Sequence, residues 1–246
     1  MSLLRAENLT KIYGKGEAAV TALDHANLSV ETGEFVAVMG PSGCGKSTLL
    51  YLLGGLDRPS SGDVYIDGQA ISSLSDDAMT VIRRRQIGFV FQFYNLIPVL
   101  TTVENAALPI SLDGASQTAA KARAAEWLQK VGLGSRLNSR PDQLSGGQQQ
   151  RVAVARALVA EPKIILADEP TGNLDTRASD DIASLLRQVA NEWGRSVVMV
   201  THDARIAAYA DRIIFLKDGC IIDEKRSEAG LAQSAEWVTR KMQEIA

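Results

Sequence analysis

Residues 40–47 combine glycines, a lysine and a serine in a spacing suited to binding phosphates. They read Gly-Pro-Ser-Gly-Cys-Gly-Lys-Ser, which satisfies the pattern G-x-x-x-x-G-K-[ST] in full. The glycines let the backbone wrap around an anion, and successive N–H groups then point at phosphates near the positive end of a helix dipole. Lys46 adds a mobile positive charge, and the Ser47 hydroxyl suits a Mg²⁺ ligand. The pattern predicts a triphosphate-binding loop.

Two adjacent acids, Asp168 and Glu169, follow the apolar run at residues 164–167. The run has the length of a buried strand, and neighbouring residues on a strand point to opposite sides. We therefore expect the two acids to have different roles. Asp168 suits the Mg²⁺ shell, directly or through water, whereas Glu169 suits positioning and polarising an attacking water.

Three other polar or aromatic residues stand at predicted strand ends, namely Gln92, His202 and Tyr13. Ligand groups gather at the carboxyl ends of strands in open α/β sheets. Gln92 is therefore a candidate for reaching Mg²⁺ or the attacking water, and a residue that merely ends a strand is the alternative. His202 has the same kind of position. Tyr13 suits stacking on a nucleobase, and ordinary packing explains it equally well.

Residues 144–148, Leu-Ser-Gly-Gly-Gln, indicate a second anion-binding element. Ser145 and Gln148 have the spacing of a capping box at the start of an apolar helical pattern. Because helix N-termini attract anions, the chain offers two phosphate-binding elements in different places. A purely local interpretation, in which Ser145 only caps its own helix, stays open. Asp175 is likewise expected to cap the helix predicted at 176–193.

The elements that position these residues follow from hydrophobic patterns. Short apolar runs predict buried strands separated by helices, which is typical of an α/β fold with a mainly parallel sheet. The run at 196–200 is predicted to be the last buried strand. Residues 3–13 and 22–31 predict an antiparallel pair, and residues 93–100 are apolar but irregular because of Pro98. We expect further elements as follows: a hairpin at 64–68, helices at 75–85, 101–111, 116–131 and 145–160, a hairpin at 212–225 and an amphipathic helix from Leu231 to Ile245.

Composition sets the broad class of protein. The 246 residues are 46% hydrophobic and carry a net charge of −3, which supports a large core and gives no broad basic footprint for nucleic acid. The first residues lack a signal segment, and no run is long enough to cross a bilayer. We therefore expect a cytoplasmic protein that serves a membrane only through a partner. Cys44 and Cys220 are expected to be reduced thiols.

Together these motifs resemble those of the nucleotide-binding subunit of ATP-binding-cassette (ABC) transporters. The matching positions are residues 40–47 (Walker A), Gln92 (Q-loop), residues 144–148 (signature sequence), residues 164–168 (Walker B), Glu169 (catalytic glutamate), Asp175 (D-loop), His202 (switch histidine) and Tyr13 (adenine stacking). The resemblance extends to about Lys225. It implies a P-loop NTPase fold of the ABC type over residues 1–225, with a parallel core, an antiparallel β subdomain and a helical insertion at about 93–160. Residues 226–246 would form a separate C-terminal amphipathic helix.

The resemblance also implies ATP and Mg²⁺ as cofactors and a second copy of the chain as partner. Two copies would close head to tail, each signature helix completing the partner's ATP site. Catalysis would involve Glu169, His202, Gln92 and Lys46, and the metal would be held by Ser47, Gln92 and Asp168. The implied ATP-binding residues are Tyr13, Gly40, Ser42, Gly43, Cys44, Gly45, Lys46, Ser47, Thr48, Ser145, Gly147, Gln148 and Asp175.

Within the family, residues 91–98, 102–105 and 167–175 are similar to the lipoprotein-release and macrolide-exporter branch. This likeness implies an ATPase on the inner face of the cell membrane that drives a separate integral membrane permease, with no nucleic acid as partner. The alternatives are a soluble ABC ATPase of DNA repair and a cell-division ABC ATPase. DNA-repair relatives carry long coiled-coil or zinc insertions, for which the interval from Gln92 to Ser145 leaves no room. Stimulation of ATPase activity by DNA or by a membrane protein would distinguish the first alternative.

Overall fold

The computed structural model describes residues 2–226 and 231–245, which form two β-sheets surrounded by helices. The strands are β1 (Ser2–Tyr13), β2 (Val20–Glu31), β3 (Phe35–Met39), β4 (Ser61–Ile66), β5 (Gln69–Ala70), β6 (Ile87–Phe91), β7 (Ile164–Asp168), β8 (Ser196–Val200), β9 (Arg212–Lys217) and β10 (Cys220–Arg226). The helices are α1 (Lys46–Leu53), α2 (Asp76–Gln86), α3 (Thr102–Leu112), α4 (Gln117–Lys130), α5 (Gly146–Leu158), α6 (Thr176–Asn191), α7 (Ala204–Ala207) and α8 (Leu231–Ile245).

The larger sheet has the strand order β10-β9-β3-β8-β7-β6, and its strands are parallel except for β10. Strands β3, β7 and β8 are buried along their whole length, because both faces of a parallel sheet are covered by other elements. Their carboxyl ends lie in register, with Asp168 opposite both Val200 and Phe91. The predicted α/β fold is confirmed, and the residues that follow these strands come to one edge of the sheet.

Strand β9 corrects the expectation that residues 196–200 form the last buried strand. It pairs in parallel with β3 and is buried apart from Lys217. The predicted hairpin at 212–225 is confirmed, because β9 pairs with β10 in the antiparallel direction. The first strand of this hairpin also lies inside the larger sheet, in agreement with its apolar run at residues 213–216.

The smaller sheet is antiparallel, in the order β2-β1-β4-β5. It contains the predicted pair β1–β2 and the short hairpin β4–β5 across Asp67 and Gly68. Buried leucines of β1 and α1, such as Leu4 and Leu50, belong to one apolar cluster with the inner face of β3. This cluster fixes the start of α1, and therefore the phosphate loop, against the antiparallel sheet.

The helical insertion consists of α3, α4 and α5, between β6 and β7. Thr101 and Glu104 form a capping box at the start of α3, and Ser116 caps α4. Trp127 is buried and meets Trp193 edge to face at 5.2 Å. Helices α5 and α6 end two or more residues before their predicted limits, which is usual for helix ends that fray.

Helix α8 packs on its own domain, as expected from its apolar stripe. Val238 and Ile245 are buried, and Trp237 meets Phe215 edge to face at 5.5 Å. An ion pair of 2.7 Å between Lys241 and Asp223 ties the helix to β10. The side chain of Leu231, where the predicted stripe begins, lies outside the described residues. Within the described chain, no helix has the length and apolar character needed to span a membrane.

Candidate functional site

The predicted phosphate loop connects β3 to α1 at the carboxyl edge of the larger sheet. A Cβ atom at Gly45 would lie 2.2 Å from the carbonyl oxygen of Ala22, and Gly45 has a φ of +105°, so this position requires glycine. Lys46 is buried, and its Nζ atom donates to the carbonyl oxygens of Gly40 at 2.9 Å and Pro41 at 2.8 Å. The ammonium group therefore lies inside the curve of the loop.

The two cysteines are free thiols, as predicted. Cys44 is buried inside the phosphate loop, and this burial raises the pKa of its thiol, an effect that the charge of Lys46 opposes. Cys44 thus behaves as a small protonated residue that fits a crowded loop.

Asp168 receives a hydrogen bond on each of its carboxylate oxygens from helix α1. Ser47 Oγ donates to Oδ1 at 2.9 Å, and the Tyr51 hydroxyl donates to Oδ2 at 2.8 Å. Burial, the hydrogen bond to Asp168 and the negative charge of Asp168 together raise the pKa of Tyr51 to about 12, so the hydroxyl stays a donor at ordinary pH. Ser47 and Asp168 are brought together as predicted, while Tyr51 was not among the predicted site residues. Its position one helical turn after Ser47 was the available signal.

Glu169 does not point away from Asp168 by strand alternation, because it lies just beyond the end of β7. Its φ is +45°, and its N–H donates to the carbonyl oxygen of Val200 at 3.0 Å. This left-handed turn carries the carboxylate toward the end of β8, where Oε2 lies 2.9 Å from His202 Nδ1. The two acids therefore have different neighbours because of the turn at Glu169, and their different roles stay a prediction.

Gln92 lies at the same edge of the larger sheet, and its side-chain amide contacts Asn173, a neighbour that was not expected. Its Nε2 atom donates to Asn173 Oδ1 at 3.4 Å, and Asn173 Nδ2 donates to the Gln92 carbonyl at 3.1 Å. A Cβ atom at Gly172 would come within 2.7 Å of the Gln92 amide nitrogen. The amide therefore packs against the turn that follows Glu169, and its assignment to a metal stays a prediction.

Tyr13 lies at the rim of the loop with 41% of its surface exposed. Its hydroxyl donates to Asp57 Oδ2 at 2.9 Å, and Lys11 Nζ lies 4.8 Å from its ring centre. Burial raises the pKa of Tyr13, the bond to Asp57 raises it further, and a hydrogen bond with Thr48 lowers it.

The signature residues form the predicted capping box at the start of α5. Ser145 Oγ accepts from the Gln148 N–H at 3.3 Å, and Gln148 Oε1 accepts from the Ser145 N–H at 2.9 Å. A Cβ atom at Gly147 would lie 3.2 Å from Ala178, on the first turn of the helix that Asp175 caps. Both capping predictions are confirmed, and a role of these residues toward phosphate stays a prediction.

Helix α5 holds two further residues that sequence reasoning did not select. Gln150 is fully buried, and its Nε2 atom donates to the carbonyl oxygens of Pro170 at 2.6 Å and Phe91 at 3.3 Å. Its Oε1 atom has no hydrogen-bond partner among the described residues. Arg156 donates to the carbonyl oxygens of Tyr94 at 2.6 Å and Asn95 at 2.5 Å. The signature helix is therefore tied to the segments that follow Gln92 and Glu169.

A phosphate loop, two acids at a parallel strand end and a histidine on the neighbouring strand define a P-loop nucleotide-hydrolysing protein of the α/β class. The family model for ABC transporters matches residues 23–172, more than half of the chain. The chain belongs to the ABC transporter family and is an ATP-binding, ATP-hydrolysing subunit of that family. The resemblance stated from the motifs is thereby confirmed.

Curated relatives and a solved structure agree with this assignment. The lipoprotein-releasing system ATP-binding protein LolD of Geobacter metallireducens is 48% identical over 221 residues, which is 90% of this chain and 98% of that protein. The macrolide export ATP-binding/permease protein MacB of Hyphomonas neptunium is 46% identical over 95% of this chain and 36% of its own length. A dimeric post-hydrolysis structure of the ATP-binding cassette MJ0796 from Methanocaldococcus jannaschii, bound to ADP and Pi, has a TM-score of 0.84 and 47% identity, covering 92% of this chain and all of that one.

Proposed function

We propose that two copies of this chain close head to tail around ATP and Mg²⁺ and drive a separate integral membrane protein of an exporter or lipoprotein-release system. One observation carries the proposal. The Ser47–Asp168 hydrogen bond and the Glu169–His202 pair lie at one edge of the sheet, at 2.9 Å each. A hydroxyl and a carboxylate for a metal are thus adjacent to a base and the group that orients it.

The residues at this edge fit a Mg²⁺ ion by their chemistry. Mg²⁺ prefers oxygen ligands and is usually held by one or two carboxylates together with substrate phosphates. Ser47 and Asp168 supply a hydroxyl and a carboxylate, and the Gln92 amide oxygen is assigned to the same ion. When bound, Mg²⁺ neutralises charge that develops on the terminal phosphates.

The remaining roles in hydrolysis are assigned to backbone amides and side chains of this chain. The loop amides and Lys46 hold the phosphates, and Tyr13 stacks on the base. The Glu169 carboxylate accepts the proton of the attacking water at the oxygen that His202 leaves free. His202 holds Glu169 in this orientation and, being 68% exposed, is free to contact the terminal phosphate.

The head-to-tail pair explains why the signature residues lie on a separate subdomain. Ser145, which is exposed, and Gly147 and Gln148, which are half-buried, form a helix start with a positive dipole end, in the insertion rather than on the phosphate-loop helix. In the proposed pair this helix start reaches the partner copy's ATP, with Asp175 beside it. Moving such an equilibrium from mostly open to mostly closed takes about 5.5 kcal/mol, which two ATP molecules bridging both copies can supply.

A groove between α2, β6, α3 and α5 suits a helix of the membrane subunit. It has a volume of about 320 Å³ and an apolar floor that includes Phe89, Phe91 and Pro109. The adjoining segment at residues 93–100, which we call the docking segment, exposes 73% of Phe93 and 73% of Val99. Exposed apolar surface of this kind marks interaction sites. The proposed location is accordingly the cytoplasmic face of the membrane, with no nucleic acid as partner.

The test is a comparison of partners under the same ATPase assay. The tagged chain, cross-linked in its own cells, is isolated with its membrane subunit and placed in lipid vesicles. We expect an ATPase rate above that of the isolated chain, and we expect Phe93→Asp to abolish stimulation while ATP binding is kept. Val20→Asp, which changes an apolar side chain that is 63% exposed outside the docking segment, is the control. Stimulation by duplex DNA and none by the membrane fraction would overturn the proposal in favour of a DNA-repair ATPase.

A further inference from the structure

Tyr51 and Ser47 form a two-point support for the Asp168 carboxylate. Both residues lie on α1, four positions apart, and therefore on the same face of the helix. Their hydroxyl groups donate to different oxygens of Asp168, at 2.8 Å for Tyr51 and 2.9 Å for Ser47. Each carboxylate oxygen thus has its own donor from a single rigid element.

The burial of these groups makes the second donor significant. Asp168 is 9% exposed, and the Tyr51 ring packs against the apolar cluster that contains Leu50 and Leu166. The angle of rotation about the last side-chain bond of a carboxylate is spread over a broad range with nearly two-fold symmetry. A single hydrogen bond therefore does not fix the plane of the group. Two donors fix both the plane and the oxygen that faces Ser47. A buried carboxylate oxygen that loses its donor bears a desolvation cost.

We infer that Tyr51 is a positioning residue for the metal site, which holds Asp168 Oδ2 so that Oδ1 stays directed at Ser47. This inference rests on the proposed function, because it concerns the two oxygen groups assigned to Mg²⁺. Mg²⁺ demands nearly ideal octahedral geometry, and groups that orient its ligands typically change metal affinity by about 10- to 100-fold. Tyr51 thereby sets how tightly the nucleotide and Mg²⁺ bind together.

The test compares Tyr51→Phe with the wild-type chain, since phenylalanine keeps the ring and removes only the hydroxyl. ADP binding is measured by calorimetry in EDTA and at a series of free Mg²⁺ concentrations. We expect the Mg²⁺ concentration for half-maximal tightening of ADP binding to rise about 10-fold. The affinity for ADP in EDTA should match that of the wild-type chain, whereas the thermal midpoint in EDTA should fall, because a buried oxygen of Asp168 loses its donor. Tyr65→Phe, a matched change on the antiparallel sheet, should leave all three measurements unchanged.

Two results would overturn the inference. One is an unchanged Mg²⁺ dependence in Tyr51→Phe while the wild-type chain responds to Mg²⁺. The other is an equal weakening of ADP binding with and without Mg²⁺, because that would be a general defect of the nucleotide site. A wild-type chain whose ADP binding ignores Mg²⁺ would instead overturn the metal assignment in the proposed function, and the inference with it.

Discussion

His202 Nδ1 lies 2.9 Å from Glu169 Oε2, and the two residues follow neighbouring parallel strands. The left-handed backbone at Glu169, with φ at +45°, aims its carboxylate at the adjacent strand end. Strained backbone of this kind persists where the surrounding structure holds it, here through the bond from the Glu169 N–H to Val200. The geometry leaves Oε1 of Glu169 available to a water molecule.

Replacing the base should separate binding from hydrolysis. Glu169→Gln keeps the shape of the side chain and removes its ability to accept a proton, so we expect turnover to fall by about 10²- to 10⁴-fold. ATP binding should persist, and the pair of chains with bound ATP should accumulate in gel filtration. Glu192→Gln, at the end of α6, is the control and should retain wild-type turnover. A monomer with a normal ATPase rate would refute both the role of Glu169 and the pairing.

The head-to-tail arrangement predicts a specific effect at the start of α5. Ser145→Arg places a bulky cation at a helix end proposed to face the partner copy's phosphates, so hydrolysis should be lost while ATP binding to the phosphate loop is kept. Ser116→Arg removes an equivalent cap on α4, with the same hydrogen-bond length of 3.3 Å. Both variants should lose about 1 kcal/mol of stability, and only the first should lose ATPase activity. Undiminished hydrolysis by Ser145→Arg would rule out the shared site.

The capping box of α3 should make the helical insertion sensitive to acid. The backbone N–H of Thr101, together with Lys121, lowers the pKa of Glu104 from 4.5 to about 2. A carboxylate whose pKa is lowered in the folded state contributes stability above its unfolded pKa, and this contribution is lost as the pH falls from about 4.5 toward 2.

Glu104→Gln should therefore reduce the difference in free energy of unfolding between pH 5 and pH 3, measured by urea titration. Glutamine still fits the capping box, so the helix should persist at both values. Glu126→Gln, an exposed change on α4, should leave the pH dependence as it is in the wild-type chain. A Glu104→Gln variant with the full wild-type pH dependence would contradict the assignment.

Removing Arg212 alone from its buried ion pair with Glu34 should lower the free energy of unfolding strongly. Both side chains are 7% exposed, and Arg212 Nε donates to Glu34 Oε1 at 2.8 Å. Arg212→Met leaves the buried carboxylate without its partner, which typically costs about 3–5 kcal/mol. Arg58→Met removes an exposed pair with Asp76 and should cost about 1 kcal/mol or less. Equal effects in chemical denaturation would disprove this ranking.

Much of the fold could be predicted because its signals are local. The caps at Ser145 and Asp175 each depend on residues within three positions, and both side chains accept the expected backbone N–H. The buried parallel strands likewise appear as short apolar runs. The place of β9 beside β3 could not be predicted in this way, because charged residues at its ends mask a central strand.

The site was predictable where residue type and motif carry the chemistry. Ser47, Asp168, Glu169 and His202 meet at one sheet edge because parallel strands deliver their ends together. The roles of Tyr51, Gln150 and Arg156 depend on contacts between positions 20 to 117 residues apart in the chain. Only Tyr51 carried a local signal, its spacing from Ser47, and the turn of Gln92 toward Asn173 had none.

The contact between Tyr94 and Gly146 has a mechanical consequence. A Cβ atom at Gly146 would lie 2.9 Å from the Tyr94 hydroxyl oxygen, while Arg156 holds the Tyr94 carbonyl at 2.6 Å. Tyr94 thus contacts α5 at its start, through Gly146, and near its end, through Arg156. These contacts predict that a displacement of Tyr94 also moves the start of α5. The docking segment proposed to meet a membrane subunit and the helix start proposed to meet a second copy would then move together.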